Sequence, residues 1–228
     1  MKRSLLPLIA ALCVALSPCC FADEAPASFA KWEKEIAAFE QHDRETPPPK
    51  HAIVFVGSSS IRKWTTLAED FPHHRVLNRG FGGSELGDSA HFAERIVLAY
   101  EPRFIVVYAG GNDINNHKTA EQVFESFKAF VAAVRAKQPD TPIAYISIAG
   151  NPSRWSQVEE VKKANALIEQ FTREQPNLKF IDVFHEMLGS DGLPRPEIFV
   201  ADRLHMNAEG YKLWTQIVGR FLPEPDVK

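Results

Sequence analysis

Five short runs of apolar, largely β-branched residues recur along the chain, and most are separated by segments with helical periodicity. The runs are residues 51–56, 75–77, 104–108, 143–148 and 178–183. The helical segments after the second run are residues 85–100, 120–137, 157–174 and 208–221. Strands that are apolar throughout and alternate with amphipathic helices predict a parallel sheet covered on both faces. The sequence therefore predicts an α/β fold, a single three-layer α/β/α sandwich.

The first 22 residues have the organisation of a secretory signal peptide. Lys2 and Arg3 precede an apolar run at residues 5–16. This run is shorter than the roughly 20 residues that a membrane-spanning helix requires. Small residues around Ala22 predict cleavage after that position. We therefore expect a secreted or periplasmic protein with no stable membrane span.

All three cysteines, Cys13, Cys19 and Cys20, lie in or beside this leader. A lipoprotein anchor on Cys19 or Cys20 is the alternative to cleavage after Ala22. It is disfavoured because Pro18 precedes Cys19 and Ser17 takes the leucine-type position before Cys20. Cleavage after Ala22 removes every cysteine, so a thiol nucleophile and a thiolate metal site are both excluded.

The balance of charge argues against nucleic acid as a partner. The chain has 26 Lys and Arg against 29 Asp and Glu, a net charge of −3, and no cluster of basic residues. Nucleic-acid-binding proteins usually carry a basic face. The eight histidines show no metal-ligand spacing such as His-x-x-x-His, and we predict no metal and no cofactor.

Four polar segments follow predicted strands or precede the last helix. They are Gly57-Ser58-Ser59-Ser60, residues 78–84, Gly110-Gly111-Asn112-Asp113 and residues 202–211. Ligands of such sheets bind outside the carboxyl ends of the strands, so these segments are the candidate site. Together they hold a serine, backbone donors in glycine turns, a side-chain amide, and an aspartate three residues before a histidine.

This combination of groups suits acyl transfer. A serine hydroxyl becomes a good nucleophile when a base takes its proton, and histidine is the usual base near neutral pH. Asp202 and His205 can form the local pair in which the carboxylate fixes the imidazole tautomer. Backbone N–H groups in the glycine turns and the Asn112 amide can supply the donors that a developing oxyanion requires.

The four segments resemble the ordered blocks of the SGNH hydrolases, also called the GDSL esterase/lipase family. The resemblance covers residues 53–222 and implies a flavodoxin-like five-stranded parallel sheet and a serine esterase. It implies Ser59 as the nucleophile and Asp202 and His205 as its triad partners. It also implies an oxyanion hole made of the Ser59 N–H, the Gly83 N–H and the Asn112 amide. The expected substrate is a small-molecule carboxylic ester.

The resemblance has one departure and suggests a subgroup. Ser58 stands where the family most often has Asp, a residue outside the triad. Residues 55–64 resemble secreted members close to the platelet-activating-factor acetylhydrolase and lysophospholipase branches. The expected organisation is a leader at 1–22, an N-terminal helix (28–41) with a proline-rich linker at 23–50, the hydrolase domain at 51–222 and a tail at 223–228.

Two other patterns compete with this assignment. The three adjacent serines are also ordinary turn or helix-capping residues, and only the family pattern selects Ser59 among them. Asp182 and His185 form a second Asp-x-x-His, but without the Asn-x-x-Gly-Tyr that follows His205. The G-x-S-x-G elbow of the α/β-hydrolases is absent, since Ile61 follows Ser60.

Residues that follow the third and fourth strands are candidates for substrate binding: His117, Asn151, Arg154 and Trp155. No long apolar insertion suggests a lid or acyl tunnel, so esters with short acyl chains are favoured. A lysophospholipase or thioesterase activity remains an alternative. A non-catalytic carbohydrate-binding protein of the same fold is another. The sequence does not predict the oligomeric state.

Overall fold

The computed structural model describes residues 27–225. The predicted signal peptide and the three cysteines lie outside these residues, as do the last three residues of the predicted tail. No helix within residues 27–225 is long and apolar enough to cross a membrane.

The centre of the molecule is a sheet of five parallel strands. The strands are β1 (Ile53–Gly57), β2 (Val76–Gly80), β3 (Phe104–Tyr108), β4 (Ile143–Ile146) and β5 (Leu178–Ile181). Their spatial order is β2-β1-β3-β4-β5, and every neighbouring pair is parallel. This is the strand order of flavodoxin-like doubly wound folds, so the predicted fold class is confirmed.

Helices connect the strands and cover both faces of the sheet. The α-helices are α1 (Ala27–Ala30), α2 (Glu33–Glu45), α3 (Ser59–Arg62), α4 (Leu67–Asp70), α5 (Leu86–His91), α6 (Ala93–Ile96), α7 (Gly111–Asn115), α8 (Ala120–Arg135), α9 (Val158–Glu174) and α10 (Ala208–Gly219). Short 3₁₀ helices occur at Leu98–Tyr100, Pro152–Gln157, His185–Met187 and Pro196–Ile198.

Alternate residues of each central strand face opposite cores. On one face, Val54 and Val107 pack with residues of α2, α5, α8 and α9. On the other face, Phe55 and Val106 pack with residues of α3, α4 and α10. The strands are buried on both sides, which is why they read as continuous apolar runs in the sequence.

Several predicted element boundaries are wrong. The helix predicted at 28–41 is divided into α1 and α2, and α2 continues to Glu45. The helix predicted at 85–100 is divided into α5, α6 and a 3₁₀ turn. Consecutive residues, Phe92 with Ala93 and Ile96 with Val97, are all buried there, and one continuous helix does not bury so wide an arc. The strand predicted at 75–77 instead runs through the polar residues to Gly80, because its backbone pairs with β1 over that length.

Two glycines allow the chain to place α3 against the sheet. Gly57 ends β1 with φ of +138°, and a Cβ there would lie 1.9 Å from the Tyr108 carbonyl oxygen. A Cβ on Gly80 would lie 2.2 Å from the backbone nitrogen of Arg62. Side chains at these positions are sterically excluded, so α3 packs directly on the end of β2. This contact fixes the position of Ser59.

Candidate active site

Ser59 is the first residue of α3, at the carboxyl end of β1. Its hydroxyl lies 2.9 Å from Nε2 of His205, although the two residues are 146 positions apart in the chain. Ser58 is buried and Ser60 also lines the site, but it is Ser59 whose oxygen meets the imidazole. The structure thus distinguishes among three serines that are ambiguous in the sequence alone.

His205 is held on its other side by Asp202. The Asp202 carboxylate lies 2.6 Å from Nδ1 of His205 through Oδ2. Its Oδ1 accepts hydrogen bonds from the backbone N–H groups of Leu204 and His205, both at 2.9 Å. The hydrogen bond with the imidazole has the largest effect on the pKa of Asp202, and these backbone bonds add to it. Together they hold that pKa well below its usual range. Asp202 is therefore an anion at neutral pH and accepts a hydrogen bond from a protonated Nδ1 of His205. Nε2 is then free to accept the Ser59 hydroxyl proton.

The turn that carries this pair is anchored to its surroundings. Asn207 caps α10 by accepting hydrogen bonds from the backbone N–H groups of Glu209 and Gly210. One helical turn into α10, the Tyr211 hydroxyl donates to the Ser60 carbonyl oxygen at 2.9 Å. This bond joins the helix that follows His205 to the helix that begins with Ser59. Ser59 therefore lies on, and His205 directly before, two helices that contact each other.

The predicted oxyanion donors come from three strand ends. Among the described residues, no acceptor is found for the backbone N–H groups of Ser59 and Gly83. Ser59 begins a helix, where unpaired N–H groups are expected. Gly83 has φ of +84°, which favours glycine at this position. Asn112 lies in α7, where one of its two amide hydrogens is donated to the Ser84 carbonyl oxygen at 3.0 Å.

Arg154 has protein partners that the sequence did not indicate. Its Nη1 donates to the side-chain oxygen of Asn112 and to the carbonyl oxygen of Gly111, both at 3.0 Å. Asn151 caps the 3₁₀ helix that carries this arginine by accepting from the Arg154 backbone N–H. Both residues line the same cavity as Ser59 and His205.

The other two candidates for substrate binding lie away from the reactive groups. Trp155 stacks on Phe184 with ring centroids 6.4 Å apart and lines a smaller neighbouring cavity. His117 is exposed, and of the described residues it is not one that lines the cavity at Ser59. A role in contacting substrate remains a prediction for both.

The second Asp-x-x-His pair has the same local contact but no serine. Nδ1 of His185 lies 2.6 Å from the Asp182 carboxylate. Three quarters of the His185 side chain (76%) is exposed, against 16% for His205. Within residues 27–225, no hydroxyl partner is found for the Nε2 atom of His185.

The Ser59–His205 pair opens onto a small cavity of about 30 Å³. Its apolar lining includes Tyr108, Ile148, Met187, Phe199, Met206 and Trp214. Since about 10–15 Å³ holds one water molecule, the cavity has room for a small group beside Ser59. Tyr108 could have been anticipated from its place at the end of a strand, whereas Trp214 lies in the middle of α10 and gave no such signal.

Metal-ligating side chains do not converge in the part of the chain that the structure describes. No group of three His, Cys, Asp or Glu residues there is arranged to hold a metal ion.

Comparison with known proteins agrees with the fold and identifies the family. The family model of the GDSL-like lipase/acylhydrolase family matches residues 46–213. The chain belongs to this family, which confirms the resemblance inferred from the four segments. A search of curated proteins found no match.

Several solved structures share the fold at low sequence identity. A Streptococcus pneumonia protein provisionally described as a platelet activating factor is 20% identical, with a TM-score of 0.75 over 86% of this chain and 95% of that one. A GDSL-like lipase from Bacteroides thetaiotaomicron is 18% identical, with a TM-score of 0.68 over 85% and 96% of the two chains. The acetylxylan esterase Axe2 of Geobacillus stearothermophilus is 13% identical, with a TM-score of 0.62 over 75% and 94%.

Proposed function

We propose that the protein hydrolyses carboxylic esters with short acyl chains, using Ser59 as nucleophile, His205 as general base and acid, and Asp202 as the orienting carboxylate. The observation that carries the proposal is the 2.9 Å contact between the Ser59 hydroxyl and Nε2 of His205. Membership of the GDSL-like lipase/acylhydrolase family supports ester hydrolysis as the reaction class.

The reaction follows from the proton positions at the site. His205 takes the Ser59 hydroxyl proton at Nε2 while the Ser59 oxygen attacks the ester carbonyl carbon. When the tetrahedral intermediate collapses, the bond between the former carbonyl carbon and the alcohol oxygen breaks, and His205 gives its proton to that leaving oxygen. Water then attacks the acyl-Ser59 ester, with His205 again taking and returning one proton. Asp202 stabilises the imidazolium at both stages.

The oxyanion would be held by the N–H groups of Ser59 and Gly83 and by the second amide hydrogen of Asn112. Both backbone donors lack an acceptor in the described part of the chain, and Asn112 lines the cavity beside Ser59. Preorganised donors of this kind typically contribute about 10²–10³ in rate each, because they need no reorganisation as charge develops.

The size of the cavity supports a short acyl chain. A volume of about 30 Å³ accommodates an acetyl methyl group, whereas an extended fatty-acyl chain would have to project beyond it. The proposed substrate is therefore defined by its short acyl group.

The test is hydrolysis of p-nitrophenyl acetate, butyrate, octanoate and palmitate by the purified protein. We expect kcat/KM to be highest for acetate and to fall with chain length. Ser59→Ala should lose activity by on the order of 10⁶-fold, because a triad nucleophile is removed. Ser60→Ala is the matched control, since it removes a neighbouring hydroxyl that does not contact His205, and it should retain turnover within about tenfold.

Covalent labelling gives a second measurement that does not depend on the ester. A fluorophosphonate should modify the protein once, and fragmentation of the tryptic peptide from His51 to Arg62 should place the adduct on Ser59. Absence of labelling together with absence of turnover in folded protein would overturn the proposal. Preference for palmitate would overturn the acyl-chain assignment alone.

A further inference from the structure

Arg154 contacts the proposed oxyanion donor Asn112 at its amide oxygen, on the side opposite the donating nitrogen. The proposed donor of Asn112 is its amide nitrogen, and Arg154 binds the other end of that amide, its oxygen, at 3.0 Å. The same Nη1 atom also binds the Gly111 carbonyl oxygen at 3.0 Å. Ser84 accepts one of the two amide hydrogens. The amide plane is thus held at both ends, and the remaining hydrogen is left for a ligand in the cavity.

The charge of Arg154 has no carboxylate partner in the described part of the chain. Two other arginines whose side chains are buried or half-buried are ion-paired: Arg79 with Asp43, and Arg95 with Glu33 and Glu40. Partial burial lowers the pKa of Arg154, and the nearby Tyr108 hydroxyl opposes this effect without reversing it. Partial burial of a guanidinium without a carboxylate partner costs folding free energy unless other groups accept its hydrogen bonds.

The loop that carries Arg154 is also joined to the turn that carries His205. The backbone N–H of Ser153, the residue before Arg154, donates to the Arg203 carbonyl oxygen at 3.1 Å. Arg203 lies between Asp202 and His205. The 3₁₀ helix Pro152–Gln157 is therefore bonded both to the proposed oxyanion donor Asn112 and to the turn that carries the proposed base, which gives Arg154 a fixed place relative to each.

We infer that Arg154 is a positioning residue for ester hydrolysis, which locks the Asn112 amide with its free N–H directed at the oxyanion and polarises that N–H through the amide oxygen. A cation on the carbonyl end of an amide draws electron density from its nitrogen, so the N–H becomes a stronger donor. The inference rests on the proposed function. In this role Arg154 binds the Asn112 side-chain amide, whereas the sequence had suggested that it contacts the substrate.

The test compares Arg154→Gln with wild type on p-nitrophenyl acetate, an uncharged substrate. We expect kcat to fall about 10–100-fold with KM nearly unchanged, less than the about 10²–10³-fold loss from removing a donor outright. Arg220→Gln, which removes an exposed arginine at the end of α10, is the matched control and should retain wild-type kcat. Added guanidinium ion should restore part of the activity of Arg154→Ala.

A double-mutant cycle separates this role from a general effect on folding. If Arg154 acts through Asn112, then Asn112→Ala with Arg154→Gln should be no slower than Asn112→Ala alone. Multiplicative losses would overturn the inference, as would a rise in KM with kcat unchanged, which would indicate contact with the substrate.

The rate of fluorophosphonate labelling of Ser59 provides the readout that separates the two proposals. It should fall in Arg154→Gln by a factor similar to kcat, because the phosphoryl oxygen uses the same donors. If wild type is labelled but hydrolyses none of the esters, the proposed substrate is wrong. The comparison of labelling rates between wild type and Arg154→Gln still tests the role of Arg154. If labelling is equally fast in Arg154→Gln and wild type, the inference about Arg154 fails and the proposed function stands.

Discussion

The two Asp-x-x-His turns of this protein are nearly identical within themselves and different in what surrounds them. In each, the carboxylate lies 2.6 Å from Nδ1 of the histidine and also accepts that residue's backbone N–H. The two aspartate side chains are equally exposed, at 44% for Asp182 and 45% for Asp202. The spacing alone is enough to form the pair.

The difference lies at the far nitrogen of each ring. Nε2 of His205 meets the Ser59 hydroxyl, and the ring is largely covered by the surrounding structure. His185 follows β5, at the edge of the sheet, and extends into solvent. A local acid–histidine pair therefore has a proposed chemical role only where the fold supplies a nucleophile and excludes water.

The largest expected effect separates the two histidines. His205→Ala should lower kcat/KM for p-nitrophenyl acetate by about 10⁴–10⁶-fold, because the base and acid of every step is removed. His185→Ala should remain within about twofold of wild type, as is usual for an exposed residue. Comparable losses in both variants would show that the two turns are not distinguished by the serine.

A smaller effect is expected at the two aspartates. Asp202→Asn should lower kcat by about 10³–10⁴-fold, since an amide favours the wrong imidazole tautomer and does not stabilise the imidazolium. Asp182→Asn is the matched control, with the same exposure and the same ring contact, and its kcat should stay within about twofold. A kcat for Asp202→Asn close to that of wild type would remove Asp202 from the mechanism.

The smallest expected effect is on stability and depends on pH. The folded-state pKa of Asp202 is lowered by its hydrogen bonds with His205, whereas an unfolded Asp has a pKa of about 3.9. The ionised carboxylate therefore stabilises the fold above about pH 4, and this contribution is lost as pH falls through the lower folded-state pKa. Urea unfolding of wild type and Asp202→Asn should show a difference in free energy that shrinks below about pH 4. A difference that stays constant from pH 7 to pH 3 would contradict this.

Much of the architecture could be predicted because its signals are local. The five apolar runs correspond to the five strands, and the long helices α8, α9 and α10 lie close to their predicted positions. The prediction was wrong where tertiary contacts outweigh local pattern. The helix predicted at 85–100 is divided so that adjacent apolar residues can all be buried.

Arg79 is a second residue whose position depends on tertiary contacts and not on local sequence. The sequence placed it in a loop with the glycines that follow it. The structure instead places it in β2, buried and paired with Asp43 of α2. Pairing of β2 with β1 decides this, and no property of residues 78–80 alone reveals it.

The sequence by itself determined the order of strands and helices, the segments at the strand ends and the Asp–His pairs, since each depends on residues a few positions apart. Tertiary structure alone decided which serine meets which histidine across 146 residues, and that Arg154 holds Asn112 across 42. These contacts arise because parallel strands bring their carboxyl ends to one edge of the sheet. The position of Ser59 also depends on close packing at Gly57 and Gly80, which no short stretch of sequence encodes.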